Sequence, residues 1–590
     1  MDDKKQAPKK KVPKKYLLVR LWKYLSRYYF LITVGLILML ASNMLALFGP
    51  KLSGKAIDAI GIRAGGVDFR RVFYYVGWMA ALYVLSAFFS YLLSLVTIRL
   101  TRKVIYRMRR DVFENLSRLP VAFFDQYQTG DIISIITYDI DTVNQSLSND
   151  FLQIMQSVVT VLFSLVMMLS IAPVMVLIFV VTIPVSILLT KYITSHSRPL
   201  FRVRSKKLGE LNGFVEEMLN GQKTTRAYGR EEQVVAAFDE KNKEAVEANT
   251  KAEYYGTLAG PSVNFMNNTS LALISVVGSL LYLQGRIGIG DISSFVQYSR
   301  KFSGPINEAA NIIGELQSAF AAAERVFRLM DELPEKPDDE KARILQEVYG
   351  DVIFKDVCFG YQPERQILKD FNLHVRAGQQ IAIVGPTGAG KTTVINLLMR
   401  FYDVEKGCIL LDGQDTYGIK RDSLRGAYTM VLQDAWLFHG TIYENLAYGR
   451  DDVTMEKVEK AAKAAMIYPY IEKLPQGFQT LLSDNGVHIS KGQRQLLTIA
   501  RAMLSDAKML ILDEATSNVD TRTEMQIQEA MRSLMADKTC FVIAHRLSTV
   551  RHADLILVVK DGRIVERGNH EELLKRRGVY DQMYRAQFDI

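Results

Sequence analysis

Hydrophobic positions are spread unevenly along this chain. Residues 1–315 hold long uncharged apolar runs, whereas the rest alternates short apolar strings with polar segments. Tyr28–Pro50 has no charge over 23 residues and Val72–Ile98 none over 27. Each is long enough to cross a membrane as a helix, for which about 20 apolar residues suffice. Phe151–Thr190 is uncharged for 40 residues. That is about 60 Å of helix against a hydrocarbon core of about 30 Å, so it divides at Ala172–Pro173 into two spans joined by a tiny turn. Tyr254–Gly285 supplies a fifth. A sixth, at 289–313, contains Asp291, Arg300, Lys301 and Glu308 and escapes hydropathy. It is required if both ends of the chain lie on one side of the membrane. The expected spans are 28–50, 72–98, 151–171, 174–194, 258–285 and 289–313, within a membrane region of residues 21–330.

Between spans, 99–150 and 191–253 are polar but helically periodic, and too long for ordinary loops. They read as helices extended into the cytosol, with tips at Phe123–Gly130 and Tyr228–Glu232. Residues 331–347 (DELPEKPDDEKARILQE) form an acidic, proline-containing linker. From 348 to 590 the pattern is that of a soluble α/β domain.

Charge refines this picture. The net charge of +10 suits nucleic acid, but the basic residues flank the apolar runs, where a membrane topology signal belongs. Nucleic acid is therefore not an expected partner. Residues 1–15 carry seven lysines against two aspartates, and 1–20 reads as a basic cytoplasmic tail without a secretory signal. Arg99–Arg118 has seven basic residues. Lys51, Lys55, Arg63, Arg70 and Arg71 in the presumed outer loop 51–71 run against the rule, but that loop is much the shorter segment. Cys358, Cys408 and Cys540 show neither pairing nor metal-ligand spacing. Buried thiols in a reducing cytosol are expected.

The chemistry centres on Gln380–Thr393, QIAIVGPTGAGKTT. Ile381–Val384 suits a buried parallel strand. Gly385-Pro386-Thr387-Gly388-Ala389-Gly390-Lys391-Thr392 then fits the phosphate loop G-x-x-x-x-G-K-[ST], and Thr393 opens the helical VINLLMRF. The glycines let backbone N–H groups turn inward on phosphate, at a helix terminus worth about half a positive charge. Lys391 can reach the β and γ phosphates, and the Thr392 hydroxyl can ligate Mg²⁺.

Further along, Met509–Leu512 is a buried-strand run ending in Asp513 and Glu514. The first carboxylate can hold Mg²⁺ and the second can position or deprotonate water. His545 ends another strand, within reach of a γ-phosphate. Gly350–Phe371 alternates like a strand and contains Tyr361, an aromatic that can stack on adenine. Gln433 follows the strand-like YTMVL. Ser490 is a good N-cap for RQLLTIARAML, which makes a second anion-binding helix terminus. For Tyr361 and Gln433 taken singly, ordinary packing or an inert strand end explains the residue as well.

Together these motifs, in this order, resemble the ATP-binding cassette family over essentially the whole chain. The resemblance implies a six-helix exporter-type membrane bundle fused to a cytosolic α/β P-loop ATPase. It makes GPTGAGKT the Walker A, Tyr361 the adenine-stacking position, Gln433 the Q-loop and a metal contact, and MLILDE the Walker B with Glu514 catalytic. SNVD, ending in Asp520, is the D-loop, and His545 the switch histidine. ISKGQ, with Ser490, Gly492 and Gln493, sits at the signature position. FFDQYQTGD and RAYGREEQ correspond to coupling regions. It further implies a half-transporter that dimerises, with ATP held between one chain's Walker A and the other's signature. ATP-driven export of amphipathic, multidrug or lipid-like compounds across a bacterial cytoplasmic membrane follows. An exporter-shaped importer and an ATP-gated regulator with little turnover are the alternatives.

Two departures matter. The usual LSGGQ has Ile489 and Lys491 here, and the usual T-x-V-G-E-x-G reads Thr480-Leu-Leu-Ser483-Asp484-Asn485-Gly486. Both lie on the surface offered to a partner's ATP, while Glu514 and His545 are intact. This resembles the catalytic half of a heterodimeric multidrug exporter; drift in a homodimer is the alternative. In the sixth span, positions 300, 304, 307, 308 and 311 share one helical face. A charge at mid-bilayer costs at least about 2.5–3.5 kcal/mol, so Arg300, Asn307 and Glu308 are expected to line a water-filled pathway with Asn264, Asn267 and Asn268. A span shifted to place Arg300 at the membrane surface is the alternative.

Overall fold

A computed structural model of the chain describes residues 13–61, 67–146, 150–362, 365–433, 435–450, 452–482, 489–513, 520–544 and 550–588. Contacts divide the chain into two units, 1–117 with 129–332, and 118–128 with 333–590.

The first unit is helical: α1 (Lys14–Ser26), α2 (Tyr29–Ile60), α3 (Phe69–Leu116), α4 (Phe151–Ile171), α5 (Pro173–Asn220), α6 (Glu231–Thr257), α7 (Ala259–Leu283) and α8 (Ile289–Met330). Among the described residues, five segments are long and apolar enough to cross a membrane: α2, α3, α4, α5 and the run Glu231–Leu283. The helix α8 is continuous over 42 residues with Pro305 inside it. The apolar runs extend into polar helix. At 48 residues each, α3 and α5 are about 70 Å long. Past the apolar part of α5, Arg204 pairs with Glu253 of α6 at 3.0 Å and Lys207 with Glu244 at 2.8 Å. These polar segments form paired helices, as their helical periodicity predicts, and α5 runs on through Pro199, Gly209 and Gly213.

The break between α4 and α5 falls at Ala172, whose extended backbone (φ −154°) precedes Pro173. Proline disfavours a helical residue before it and is suited to the first helical turn. Small residues let α2 and α8 cross closely. A Cβ on Gly54 would lie 2.4 Å from the Gly290 carbonyl oxygen. At this crossing Gly290 N–H donates to Asp58 Oδ1 at 2.7 Å, Ser294 Oγ to the Pro50 carbonyl at 2.9 Å, and Tyr298 to the Leu47 carbonyl at 2.8 Å. The Pro50 region is therefore a joint inside α2, and Lys51 and Lys55 are helical residues rather than loop.

The second unit has strands β1 (Val352–Phe359), β2 (Leu368–Val375), β3 (Gln380–Val384), β4 (Lys406–Leu411), β5 (Gln414–Asp415), β6 (Tyr428–Val431), β7 (Gly440–Thr441), β8 (Leu481–Leu482), β9 (Met509–Asp513), β10 (Thr539–Ile543), β11 (Leu555–Lys560) and β12 (Arg563–Gly568). The main sheet runs β12-β11-β3-β10-β9-β6, with β11, β3, β10, β9 and β6 parallel. Buried Ile381, Ile383, Val394, Leu398, Ile511 and Phe541 share one core with the antiparallel sheet β2-β1-β4-β5. Strands covered on both faces read as continuous apolar runs, as Ile381–Val384 and Met509–Leu512 do.

Two boundaries differ from those expected of the sequence. The linker 331–347 does not stand apart. From Leu333 it belongs to the ATPase unit, because two arginines bind it: buried Arg421 donates to Asp338 Oδ1 at 2.8 Å and to the Lys336 carbonyl at 2.7 Å, and half-buried Arg425 bonds Glu335 at 3.0 Å. The tip 118–128 joins the same unit. Gly350–Phe371 is not one strand but most of the pair β1 and β2, with Tyr361 in the turn between them. Of the cysteines, Cys358 and Cys540 are buried but Cys408 only partly so. Burial pushes the Cys540 thiol up to about 12.

Candidate nucleotide site

Parallel sheets place ligands beyond the carboxyl ends of their strands, and the loop 385–392, Gln433 and Asp513 lie at or just past the ends of β3, β6 and β9. Strand β3 delivers Gly385, whose φ of +156° and close approach to Val559 exclude a side chain. Gly388 (φ +83°) and Gly390 (φ +103°) complete the turn, and Gly390 caps α9 (Lys391–Leu398). Between them Pro386 accepts from Ala389 N–H at 3.2 Å. Lys391 is buried, its Nζ donating to the Gly385 and Pro386 carbonyls at 2.8 and 3.1 Å. The ammonium thus lies across the mouth of the loop. Thr387 and Thr392 are exposed and Thr393 is buried. This geometry fits a polyphosphate: a glycine loop with positive φ, a helix terminus and a pre-positioned cation.

Tyr361 stands beside the loop. Its hydroxyl meets Thr393 Oγ1 at 3.2 Å and accepts from Asn396 Nδ2 at 3.0 Å, and the residue is 43% exposed. Its own packing is edge-on, against Phe359 at 5.1 Å and Tyr402 at 4.9 Å. Tyr402 was not singled out from the sequence. It donates to Asp125 Oδ2 at 2.5 Å, within the tip segment 118–128. Burial, and then this carboxylate, hold the Tyr402 phenol above its ordinary range.

Register places the acidic strand end. Asp513 pairs with Ile543, and Ile543 with Ile383. At about 4.8 Å per strand, Asp513 sits about 10 Å across the sheet from the loop strand. Gln433 lies two residues beyond β6 and is exposed. Glu514 and His545 lie outside the described residues, as do Ser483–Gly486. Asp520 caps the helix α11 (Thr521–Met535), accepting from Thr523 N–H at 3.0 Å, and that bond lowers its carboxyl below the usual range.

At the signature position the helix α10 (Lys491–Met503) begins in a reciprocal cap. Gln493 N–H donates to Ser490 Oγ at 3.2 Å and Ser490 N–H to Gln493 Oε1 at 3.0 Å. Gly492 is buried, and Ser490 and Lys491 are exposed. The Lys491 ammonium is thus presented outward at the first turn.

In the helical unit the expected pathway residues separate. Arg300 and Glu308 line one cavity, together with Lys301, Asn43, Gln153 and Thr160. Asn267 lines a different, small one with Thr182 and Ser303. Asn264 and Asn268 are exposed on α7. The three asparagines therefore do not join Arg300: Asn264 and Asn268 are exposed, and the cavity at Asn267 is a separate one shared by α5, α7 and α8. The side chains of Asn307 and Asn311 lie outside the described residues. Asn43, Gln153 and Thr160 were missed; the signal available was an amide or hydroxyl inside an otherwise apolar run.

Residues 32–306 match the ABC transporter transmembrane region and residues 368–517 match the ABC transporter family. The chain is 42% identical to an uncharacterized ABC transporter ATP-binding protein of Bacillus subtilis, covering 100% of this chain and 97% of that protein. It is 43% identical to a fatty acid ABC transporter ATP-binding/permease protein of Mycobacterium bovis, covering 91% and 84%. An ATP-dependent lipid A-core flippase of Idiomarina loihiensis is 37% identical over 82% of this chain and 84% of its own. Among solved structures, a bacterial Atm1-family ABC exporter with ATP bound superposes with a TM-score of 0.75 at 30% identity, covering 94% of this chain and 98% of that one. With the membrane helices and the phosphate loop in a single polypeptide, the chain belongs to the ABC transporter family as an exporter-type half-transporter, an integral membrane protein whose ATPase domain binds ATP and powers transport.

Proposed function

We propose that the protein exports amphipathic, acyl-bearing compounds across the cytoplasmic membrane, by alternating access in a dimer of half-transporters. The observation that carries this reading is the Arg300–Glu308 cavity in a helical unit joined to a formed phosphate loop. Relatives described as fatty acid transporter and lipid A-core flippase support the acyl character. The basic tail and the ATPase unit are cytoplasmic in this reading, with six crossings, α8 being the sixth.

At the nucleotide site, Lys391 and the loop amides bind the phosphates and Tyr361 holds the base. Thr392, Gln433 and Asp513 are the oxygen ligands for Mg²⁺, a hard cation suited to that donor set. Bound there, the ion would neutralise phosphate charge. Glu514 is the general base and His545 contacts the γ-phosphate. Ser490, Gly492, Gln493 and Asp520 face the partner's nucleotide. The exposed Lys491 and the departure at Asp484 favour a heterodimer, whose other chain carries a regular LSGGQ and a changed base.

Reconstituted turnover tests this. General-base groups contribute about 10²–10⁴-fold, so Glu514→Gln should nearly abolish hydrolysis while ATP still binds. Near-wild-type hydrolysis would sink the assignment. If the chain alone gives full substrate-stimulated ATPase and transport, and Lys491→Gly with Asp484→Glu changes little, the heterodimer reading fails.

A further inference from the structure

The helix α8 carries two cations, Arg300 and Lys301, that no described carboxylate neutralises. Arg300 and Lys301 both line an open cavity of about 770 Å³ walled by α2, α3, α4 and α8. The ion pairs of α8 lie further along it, Arg325 with Asp139 and Arg328 with Glu324. Among the described residues Arg300 and Lys301 have none. Glu308 shares the cavity but stands about 10–12 Å further along the helix and accepts from Gln153 Nε2 at 3.2 Å. Asn43 Nδ2 is likewise used, donating to Thr160 Oγ1 at 2.9 Å.

Next to the cations the wall is clear, since a Cβ on Gly304 would meet no atom within 4 Å. Leu93 and Ile98 of α3 give the cavity an apolar side. Charges at membrane depth are retained where they pair or serve a pathway. A guanidinium offers parallel donors to a planar oxyanion, and an adjacent ammonium adds a point charge.

We propose that Arg300 and Lys301 form the headgroup site for a single-chain anionic amphiphile, its hydrocarbon chain lying along Leu93 and Ile98. This rests on the export reading and adds the sign of the cargo's charge. The cavity volume is that of pockets for drug-sized ligands, about 300–1,000 Å³, which suits one chain rather than a two-chain phospholipid. A cationic head is repelled by the same pair.

The test uses full-length protein in phosphatidylcholine nanodiscs with three probes of equal chain length: tetradecanoate, tetradecyl maltoside and tetradecyltrimethylammonium. Binding of radiolabelled tetradecanoate and stimulation of ATPase are read together. Tetradecanoate should bind tightest. Arg300→Gln with Lys301→Met should weaken it about 10- to 100-fold, as loss of charge-assisted bonds does, and Arg300→Glu with Lys301→Glu should reverse the preference to the ammonium probe. If a double variant does not assemble, each single neutral variant should still weaken binding at least threefold. Equal binding of anionic and neutral probes, or unchanged affinity in the neutral variants, overturns the anion site and leaves amphiphile export standing. Binding of none of the three overturns both. Competition by added phosphatidylglycerol in the bilayer names a membrane lipid as occupant and overturns the single-chain assignment.

Discussion

The three loop glycines are not equivalent, and alanine substitution should rank them. At Gly388 a Cβ meets nothing within 4 Å, so only the left-handed backbone (φ +83°) resists it. That penalty is about 1–2 kcal/mol. At Gly385 the Cβ would lie 2.1 Å from the Val559 carbonyl oxygen, and β11 is hydrogen-bonded directly beside β3. No rotamer relieves a clash with backbone. A sparsely populated backbone region costs about 1–3 kcal/mol and overpacking about 1–3 more, so Gly385→Ala should cost about 2–6 kcal/mol. Gly390 falls between, because its Cβ would meet Leu368 Cδ2 at 2.9 Å and that side chain can shift. Calorimetry of the full-length protein in detergent measures this on the transition that ATP raises, since ligand binding stabilises the unit that binds. For a unit of this size each kcal/mol is about 2–4 °C. A Gly388→Ala midpoint at or below that of Gly385→Ala would refute the reasoning.

Lys391→Ala removes charge-assisted bonds of about 1.5–3 kcal/mol, so ATP affinity should fall about 10- to 150-fold in a fluorescent-nucleotide titration. Arg421 is buried among Asp338, Glu335 and Asp403. Breaking such a pair costs about 3–5 kcal/mol, so Arg421→Met should lower the same calorimetric transition markedly, and less than additively with Asp338→Asn; strict additivity would show that the linker is not bound there. Tyr402→Phe and Asp125→Asn should each reduce substrate stimulation of the ATPase about two- to tenfold with ATP affinity held within about twofold. Equal stimulation in both would remove that contact from coupling. Cys540, fully buried with its thiol pushed up to about 12, should resist maleimide at pH 7 in native protein and react after unfolding.

Local chemistry was legible in the order of residues. A phosphate loop is a short backbone device, and Gly385, Gly388, Gly390 and Lys391 declare it because few other residues tolerate those dihedrals or supply that charge. The helix caps Ser490 and Asp520 are local in the same sense, as is the break at Ala172–Pro173. Continuous apolar runs announce strands buried on both faces and helices suited to lipid, because burial there needs no partner of particular identity.

What folding alone decided is where distant side chains meet. Asp125 and Tyr402 are 277 positions apart and Asn43 and Thr160 are 117 apart; no periodicity or spacing couples them. The acidic linker looked free because nothing local shows that Arg421 and Arg425 bind it. Helical periodicity put Arg300 and Glu308 on one face, yet only packing set them against α4 while turning Asn264, Asn267 and Asn268 elsewhere. A helix repeat fixes which residues share a face. Which neighbour that face meets depends on how helices cross, and here close contacts such as Gly54 on Gly290 settle that between α2 and α8.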